Sequence, residues 1–542
     1  MIASLVQALL AVSVVTIARW FWSRLSRSRS LGNIPGPNSS SLIAGNMVDM
    51  YSPSSTPWHE QLAMTYGRVV RLNGLLGDSQ LLLADPKALT HVLLKHQDIF
   101  EESYFILDLN TLIFGPGLLS TFGDHHRRQR KLLNPVFSTN HMRRIIPIFH
   151  SLQDIMRTTL ADGPQEIDML DWLGRLALEL IAQAGLGHSF HTLDGNINEH
   201  DRAYSRALKE YIPAVSKLFQ FAAFLPMSLS RAAPSALRHF LAQVIPWHAL
   251  HETMHIAETM HLGSRRVWEH KKALFAQGGD ALASQVGEGR DVISVLLKEN
   301  AIAAKEDRLA DDELLAQLST FLFAGTDTTS NALARILHVL ALHPDVQERL
   351  RDELVGAGTK QGQLGYDELV ALPYLDAVCR ETLRLYAPAN LMSRTAREGV
   401  ILPLDKPIKG NDGREMHEIF LPKDTEVVVN IIGINRDPII WGPDAHQWKP
   451  ERWLSPLPDS VLEARVPGVY GNMLTFLGGG RACIGFKSSQ LEIKVVLSQL
   501  IPVVRFELSD KEIDWRFGAI MTPSVKGDPE AHPKLPMKVS LV

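Results

Sequence analysis

One cysteine in this chain of 542 residues stands in a setting with chemical purpose. Cys483 lies in Phe476 to Gly485, FLGGGRACIG, with an arginine two positions before it and a glycine two after. Glycines lack a Cβ and let backbone approach a wide, flat partner closely. Arg481 can pair with carboxylates at the rim of such a partner. The run from Phe486 to Leu500 has helical spacing, so Cys483 falls near a helix N-terminus. Exposed N–H groups and the helix dipole favour a thiolate there. The pattern suits a thiolate ligand facing a flat, anionic cofactor, although a cysteine in a glycine-rich turn can also stay unligated. Cys379, the other cysteine, has no such setting.

Further groups have types and spacings that could serve such a site. Ala324-Gly325-Thr326-Asp327-Thr328-Thr329 puts glycine and small polar residues into an apolar helical run, which weakens a helix interior. Two outcomes are open there. The hydroxyls can bond back to their own turn, or the helix can open and offer the Thr328 alcohol and the Asp327 carboxylate to a cavity, where together they pass protons. Glu381 and Arg384 are three apart and share a helix face. As an exposed pair they would contribute only about a few tenths of a kcal/mol. Pro450-Glu451-Arg452-Trp453 precedes the cysteine loop, and Gly123-Asp124-His125-His126-Arg127-Arg128-Gln129-Arg130 begins a strongly basic helix.

Positioning these groups falls to a largely helical chain. Asp311 or Asp312 can cap a helix in which Leu314, Leu315, Leu318, Phe321 and Leu322 recur at helical spacing. His343-Pro344 ends it after Leu342. Its length, roughly 48 Å at 1.5 Å per residue, suits a helix crossing the middle of a large helical body. A second helix is expected from about Pro373 to Leu385. Val69 to Leu72 and Ser79 to Leu83 read as two strands joined through Asn73 to Asp78, and Glu426 to Ile432 as another. From about Pro86 to Leu385 the pattern is mostly helical, with surface loops at Phe275 to Gly289 and Gly356 to Gly365.

Bulk properties narrow the function classes. A formal charge of -4 gives no reason to propose a nucleic-acid partner. Two cysteines exclude a disulfide framework and fit a reducing compartment. Met1 to Ala18 carries no charge; Arg19, Trp20, Phe21 and Trp22 follow, then Arg24, Arg27 and Arg29. This reads as an uncleaved membrane anchor with aromatics at the headgroup belt and its C-terminal side in the cytosol, the alternative being a cleaved or merely interfacial segment. Ile34-Pro35-Gly36-Pro37 is a stiff turn separating it from the body.

Taken in order, the motifs resemble those of the cytochromes P450, from about Ile34 to Val542. The resemblance implies a mainly α fold with small β sheets, in which residues 1–22 form an N-terminal transmembrane anchor. Residues 23–37 would form a basic, proline-rich linker and 38–542 a single haem-thiolate monooxygenase domain. It implies haem b as cofactor, with Cys483 as the axial thiolate on iron and Arg481, His126, Arg130, Arg394, Phe476 and Gly485 completing the cofactor-binding set. Asp327 and Thr328 would be the catalytic acid and alcohol of oxygen activation. Glu381, Arg384 and Arg452 would form a buried structural network behind the haem.

Three positions depart from the family pattern. His126 stands where tryptophan is common, Thr475 where proline usually precedes the loop, and Asn435 where histidine is frequent. None removes a required chemical group. The chain has no dinucleotide fingerprint of its own, so the resemblance implies electrons from NADPH-cytochrome P450 reductase, with Arg127 and Arg128 steering its docking. It also implies O2 and an apolar small molecule as substrates, and a single-pass endoplasmic-reticulum anchor with the catalytic domain in the cytosol. The layout is most similar to fungal members of specialised metabolism, with a terpenoid as the expected substrate and a sterol or fatty acid as the alternative. Expected lining segments are Phe105 to Leu118, Val215 to Phe224, Phe321 to Thr328, Ala389 to Met392 and Ile520 to Thr522. Rival readings are an isomerase or dehydratase that needs no reductase, and a non-enzymatic haem-binding membrane protein.

Overall fold

The computed structural model describes residues 24, 26–137, 143, 146, 152–193, 197–219, 243–277, 291–358, 364–528 and 532–542. The helices that position the site are α1 (Gly123–Leu133), α2 (Met169–Leu186), α3 (Glu199–Phe219), α4 (His248–Gln277), α5 (Asp311–Leu342), α6 (Pro373–Leu385) and α7 (Phe486–Leu500). A mixed sheet flanks them, built from β1 (Val69–Asn73), β2 (Ser79–Leu83), β3 (Phe100–Glu101), β4 (Leu391–Ala396) and β5 (Glu426–Asn430). Its order is β1-β2-β5-β4-β3, with β2 and β5 parallel and the other neighbours antiparallel. The architecture is mainly α with small sheets, as expected.

Helix α5 spans 32 residues and is buried on nearly all sides. Leu333, Leu337 and Leu340 keep no exposed surface, and each contributes about 1.5–3 kcal/mol by leaving water. The helix does not begin as the sequence suggests. Asp311 and Asp312 lie inside the first turn, where their charge favours the dipole. The start is instead held by Glu313, whose carboxylate accepts the Ala310 N–H at 2.9 Å. Likewise β5 stops at Asn430, because the Asn430 side chain accepts the Gly433 N–H at 2.9 Å and starts a helical turn over Ile431–Asn435. The helical stretch before Leu385 is also broken by the strand Gln165–Asp168, which pairs with Pro536–Leu541 near the C-terminus.

The basic segment after the expected anchor is docked on the body. Arg27 is buried and pairs with Asp78 at 2.9 Å, while Leu31 and Ile34 keep no exposed surface. Pro35 O accepts the Arg71 N–H at 2.9 Å, and a Cβ on Gly36 would lie 1.9 Å from Arg71 O, so only glycine fits there.

Among the described residues the structure supplies no transmembrane helix to support the expected anchor, or the single-pass endoplasmic-reticulum placement derived from it. Residues 1–22 lie outside the described residues. Among the described residues, no helix is long and apolar enough to cross a membrane. The longest, α5, carries Asp311, Asp312, Glu313, Asp327 and Arg335, and α4 carries charge along its whole length.

Candidate active site

Glycines fold the cysteine loop. A Cβ on Gly478 would lie 1.6 Å from Pro467 O, and one on Gly479, at φ +72°, 1.9 Å from Leu93 O. Neither position tolerates a side chain. A short turn over Gly479–Arg481 follows, and the Cys483 N–H closes the loop by donating to Phe476 O at 2.9 Å. Helix α7 then starts at Phe486. The Cys483 side chain is solvent-accessible, although protein surrounds it densely. Burial pushes its thiol up, opposed by the Gly485 N–H that it accepts and by nearby Arg130.

Four basic side chains from three segments, the loop itself included, gather at this site. Arg130, on α1, donates to Ala482 O at 2.7 Å. His126, one turn earlier, is buried and pushed down to about 3 by desolvation and by the guanidiniums of Arg481, Arg130 and Arg394. It is therefore a neutral imidazole with one N–H to give. Arg481 pairs with Glu101 at 2.7 Å and donates to Thr121 O at 2.8 Å. Arg394, on β4, is 1% exposed; it donates to Ser393 O at 2.7 Å and lies 3.3 Å from Glu102. Its Nη2 is buried without a partner among the described residues. Three guanidiniums set against two carboxylates leave local positive charge, and the orphaned Nη2 is a donor that an anion would satisfy. Glu101 and Glu102 are functional neighbours that the sequence reading missed, since nothing local ties a short strand at Phe100–Glu101 to a loop near residue 481.

On α5 the helix continues unbroken through Gly325 to Thr329. Thr328 Oγ1 donates to Ala324 O at 2.7 Å, and Thr326 Oγ1 to Leu322 O at 2.6 Å. Of the two outcomes open from sequence, the hydroxyls take the bonds to their own turn. Gly325 serves packing: a Cβ there would lie 3.0 Å from Ile181 on α2. Asp327 is pushed up to about 7 by desolvation, opposed by Lys209. Thr329 Oγ1 lies 3.5 Å from Ser489 Oγ, which ties this segment to α7, the helix that follows Cys483.

Behind the loop, Glu381 and Arg384 on α6 pair at 2.7 Å with no exposed surface on either. Arg452 lies 3.3 Å from the same carboxylate. Asp444, unforeseen in the sequence, adds a fourth charge by pairing with Arg452 at 2.8 Å. Arg127 and Arg128 are less free than expected: Arg127 pairs with Asp124, and Arg128 lies 3.4 Å from Glu313.

Apolar segments distant in sequence meet next to the cysteine. Ile113, Phe114 and Leu118 pack in one cluster with Val215, Phe321 and Ile520, and partly buried Ile484 joins them. Met392 packs in a different cluster, and residues 220–224 lie outside the described residues.

A helical body that buries a charge network behind a glycine-rich cysteine loop, with a cationic rim, defines a haem-thiolate class of protein. The cytochrome P450 family model matches residues 35–528, and the chain belongs to that family. It is 46% identical over 537 residues to cytochrome P450 monooxygenase 91 of Postia placenta, covering 98% of each chain. It is 42% identical to a ganoderic acid synthetase of Ganoderma lucidum, again covering 98% of each. A P450 of Hericium erinaceus is 37% identical, with 98% of this chain and 97% of that one covered. The chain is a P450 monooxygenase of fungal type, and haem b with an axial thiolate is the cofactor that defines this family.

Proposed function

We propose that this chain inserts one oxygen atom from O2 into a C–H bond of a terpenoid, with electrons from NADPH-cytochrome P450 reductase. The observation that carries the site is the gathering of His126, Arg130, Arg394 and Arg481 beside Cys483, with Arg394 Nη2 lacking a partner. That donor set fits haem b, a flat group with an iron for the Cys483 sulfur and two carboxylates for the basic rim. Bound there, haem supplies the iron chemistry that activates O2.

The chain's own residues do the rest. Cys483 Sγ would hold the iron, with the Gly485 N–H drawing charge from the sulfur. Asp327, at about 7, both keeps and releases a proton near neutrality. Thr328 Oγ1 gives its hydrogen to Ala324 O and so keeps its lone pairs for a donor. The cluster of Ile113, Phe114, Leu118, Phe321, Ile484 and Ile520 offers apolar contact without charge, which supports a hydrocarbon skeleton. The relative named for ganoderic acid supports a terpenoid over a fatty chain. The acid–alcohol pair on α5 favours oxygen insertion over reductase-free isomerisation.

The test is to incubate the haem-loaded protein with reductase, NADPH and a terpenoid panel under isotopically heavy O2. One heavy oxygen atom per product is expected. Turnover that needs no NADPH would instead support the isomerase or dehydratase reading.

A further inference from the structure

The buried charge network and the cysteine loop are joined by a polar clip made of two side chains, Asn435 and Thr475. Asn435 keeps no exposed surface. Its carbonyl O accepts Arg384 Nη1 at 2.8 Å. Its side-chain Oδ1 accepts the Leu474 N–H at 2.8 Å, and its Nδ2 donates to Thr475 Oγ1 at 2.9 Å. Thr475 Oγ1 then donates to Leu383 O at 2.8 Å. The next residue, Phe476, accepts the Cys483 N–H at 2.9 Å.

Donor and acceptor roles along this chain are fixed. The Leu474 N–H can only donate, so Oδ1 must face it and Nδ2 must face Thr475. Thr475 already accepts from Nδ2, so its hydrogen goes to Leu383 O. That carbonyl lies in the last turn of α6, where helix geometry leaves carbonyls without intrahelical partners. One hydroxyl therefore satisfies the end of the helix that carries Glu381 and Arg384, and holds the turn entering the loop. A proline at 475 would have no hydroxyl to offer, and Asn435 would lose its partner.

We propose that Asn435 and Thr475 are positioning residues that fix the Cys483 loop against α6 and keep the sulfur at its distance from bound haem. This rests on the reading of Cys483 as the haem ligand. Removing the hydroxyl leaves Asn435 Nδ2 and Leu383 O buried without partners, and the loop is the movable side of that contact.

The experiment compares Thr475→Val, Thr475→Ser and Thr382→Val in the full, haem-loaded chain. Thr382 is a control on the same helix: buried, donating to Val378 O at 2.8 Å and accepting Trp448 Nε1 at 3.0 Å, but not bonded to the loop. The readouts are the fraction of the ferrous–CO complex with the thiolate Soret band, the rate of haem transfer to an apoglobin, and the melting temperature. Thr475→Val is expected to lose thiolate fraction and release haem about tenfold faster, with Thr475→Ser restoring both. Thr382→Val is expected to lower the melting temperature alone. A Thr475→Val protein with the wild-type band and release rate overturns the proposal. So does a Thr382→Val protein that loses thiolate fraction equally at the same melting temperature. Should Thr475→Val not fold, Thr475→Ala against Thr475→Ser carries the same comparison. Failure of the ligand reading is distinguishable, because Cys483→Ser would then keep the thiolate band whatever Thr475 does.

Discussion

Arg384 grips Glu381 through two hydrogen bonds, 3.0 Å from Nε and 2.7 Å from Nη2, where neither residue has any exposed surface. The same carboxylate accepts the Lys449 N–H at 3.1 Å, Trp453 Nε1 at 2.9 Å and Arg452 Nε at 3.3 Å. Its desolvation is offset by five donors, and those donors depend on it in turn. Glu381→Ala should therefore leave the buried Arg384 guanidinium without a counter-ion, Arg452 keeping Asp444, and cost about 3–5 kcal/mol. Denaturant unfolding gives the stability, and the ratio of haem to protein absorbance gives the loading. A variant that unfolds and loads like the wild type would remove the network from its structural role.

Arg394 makes the opposite prediction about the cofactor-free protein. Its guanidinium is buried with one nitrogen unpartnered among the described residues, a cost that the Glu102 pair offsets only in part and that an anion would relieve. Arg394→Leu should leave the stability of the haem-free protein unchanged or raised. It should weaken haem binding about tenfold to a hundredfold, the value of one charge-assisted hydrogen bond. Titration of haemin into haem-free protein measures this, and equal affinity in both proteins would end the rim assignment for Arg394.

Asp327 leads to a pH dependence with a definite sign. Its carboxyl rises from the ordinary value of 3.8 to about 7, mainly because burial penalises the charged form. Between those values the folded protein holds a proton that the unfolded chain has lost, so this group's contribution falls as pH rises and levels off above about 7. Asp327→Asn has no such group. Relative to wild type, its melting temperature should rise from pH 4 to pH 8, by about a few degrees at most in a chain of this size. A difference that stays flat over that range would place the titration elsewhere.

Legibility followed the range of the interactions. The end of α5 and the bounds of α6 were readable because apolar spacing and the prolines at 344 and 373 are local signals. Residues Val427 to Ile432 misled because one β-branched run serves both β5 and the turn after it, and only the Asn430 side chain marks the change. In the site, the cysteine loop announced itself by composition. Glu101 and Glu102 did not, because each meets its arginine only after folding: Arg481 is 380 residues from Glu101. The Asn435–Thr475 contact was hidden for the same reason, although both residues stood out singly.

The glycines of the loop differ in what they forbid, and this gives a contrast within ten residues. A Cβ on Gly478 would meet Pro467 O at 1.6 Å, a backbone atom that cannot swing aside. A Cβ on Gly485 would meet nothing nearer than Phe137 Cε1 at 3.9 Å, and Gly485 has an ordinary φ of -86°. Its contribution to Cys483 comes from the backbone N–H, which alanine keeps. Gly478→Ala should thus cost about 3 kcal/mol or more and abolish haem loading, because the loop must leave its seat. Gly485→Ala should stay within about 1 kcal/mol of wild type and retain the thiolate band. Haem content and ferrous–CO spectra of the two proteins decide it. Equal loss in both would mean that the loop reads glycine for a reason other than space.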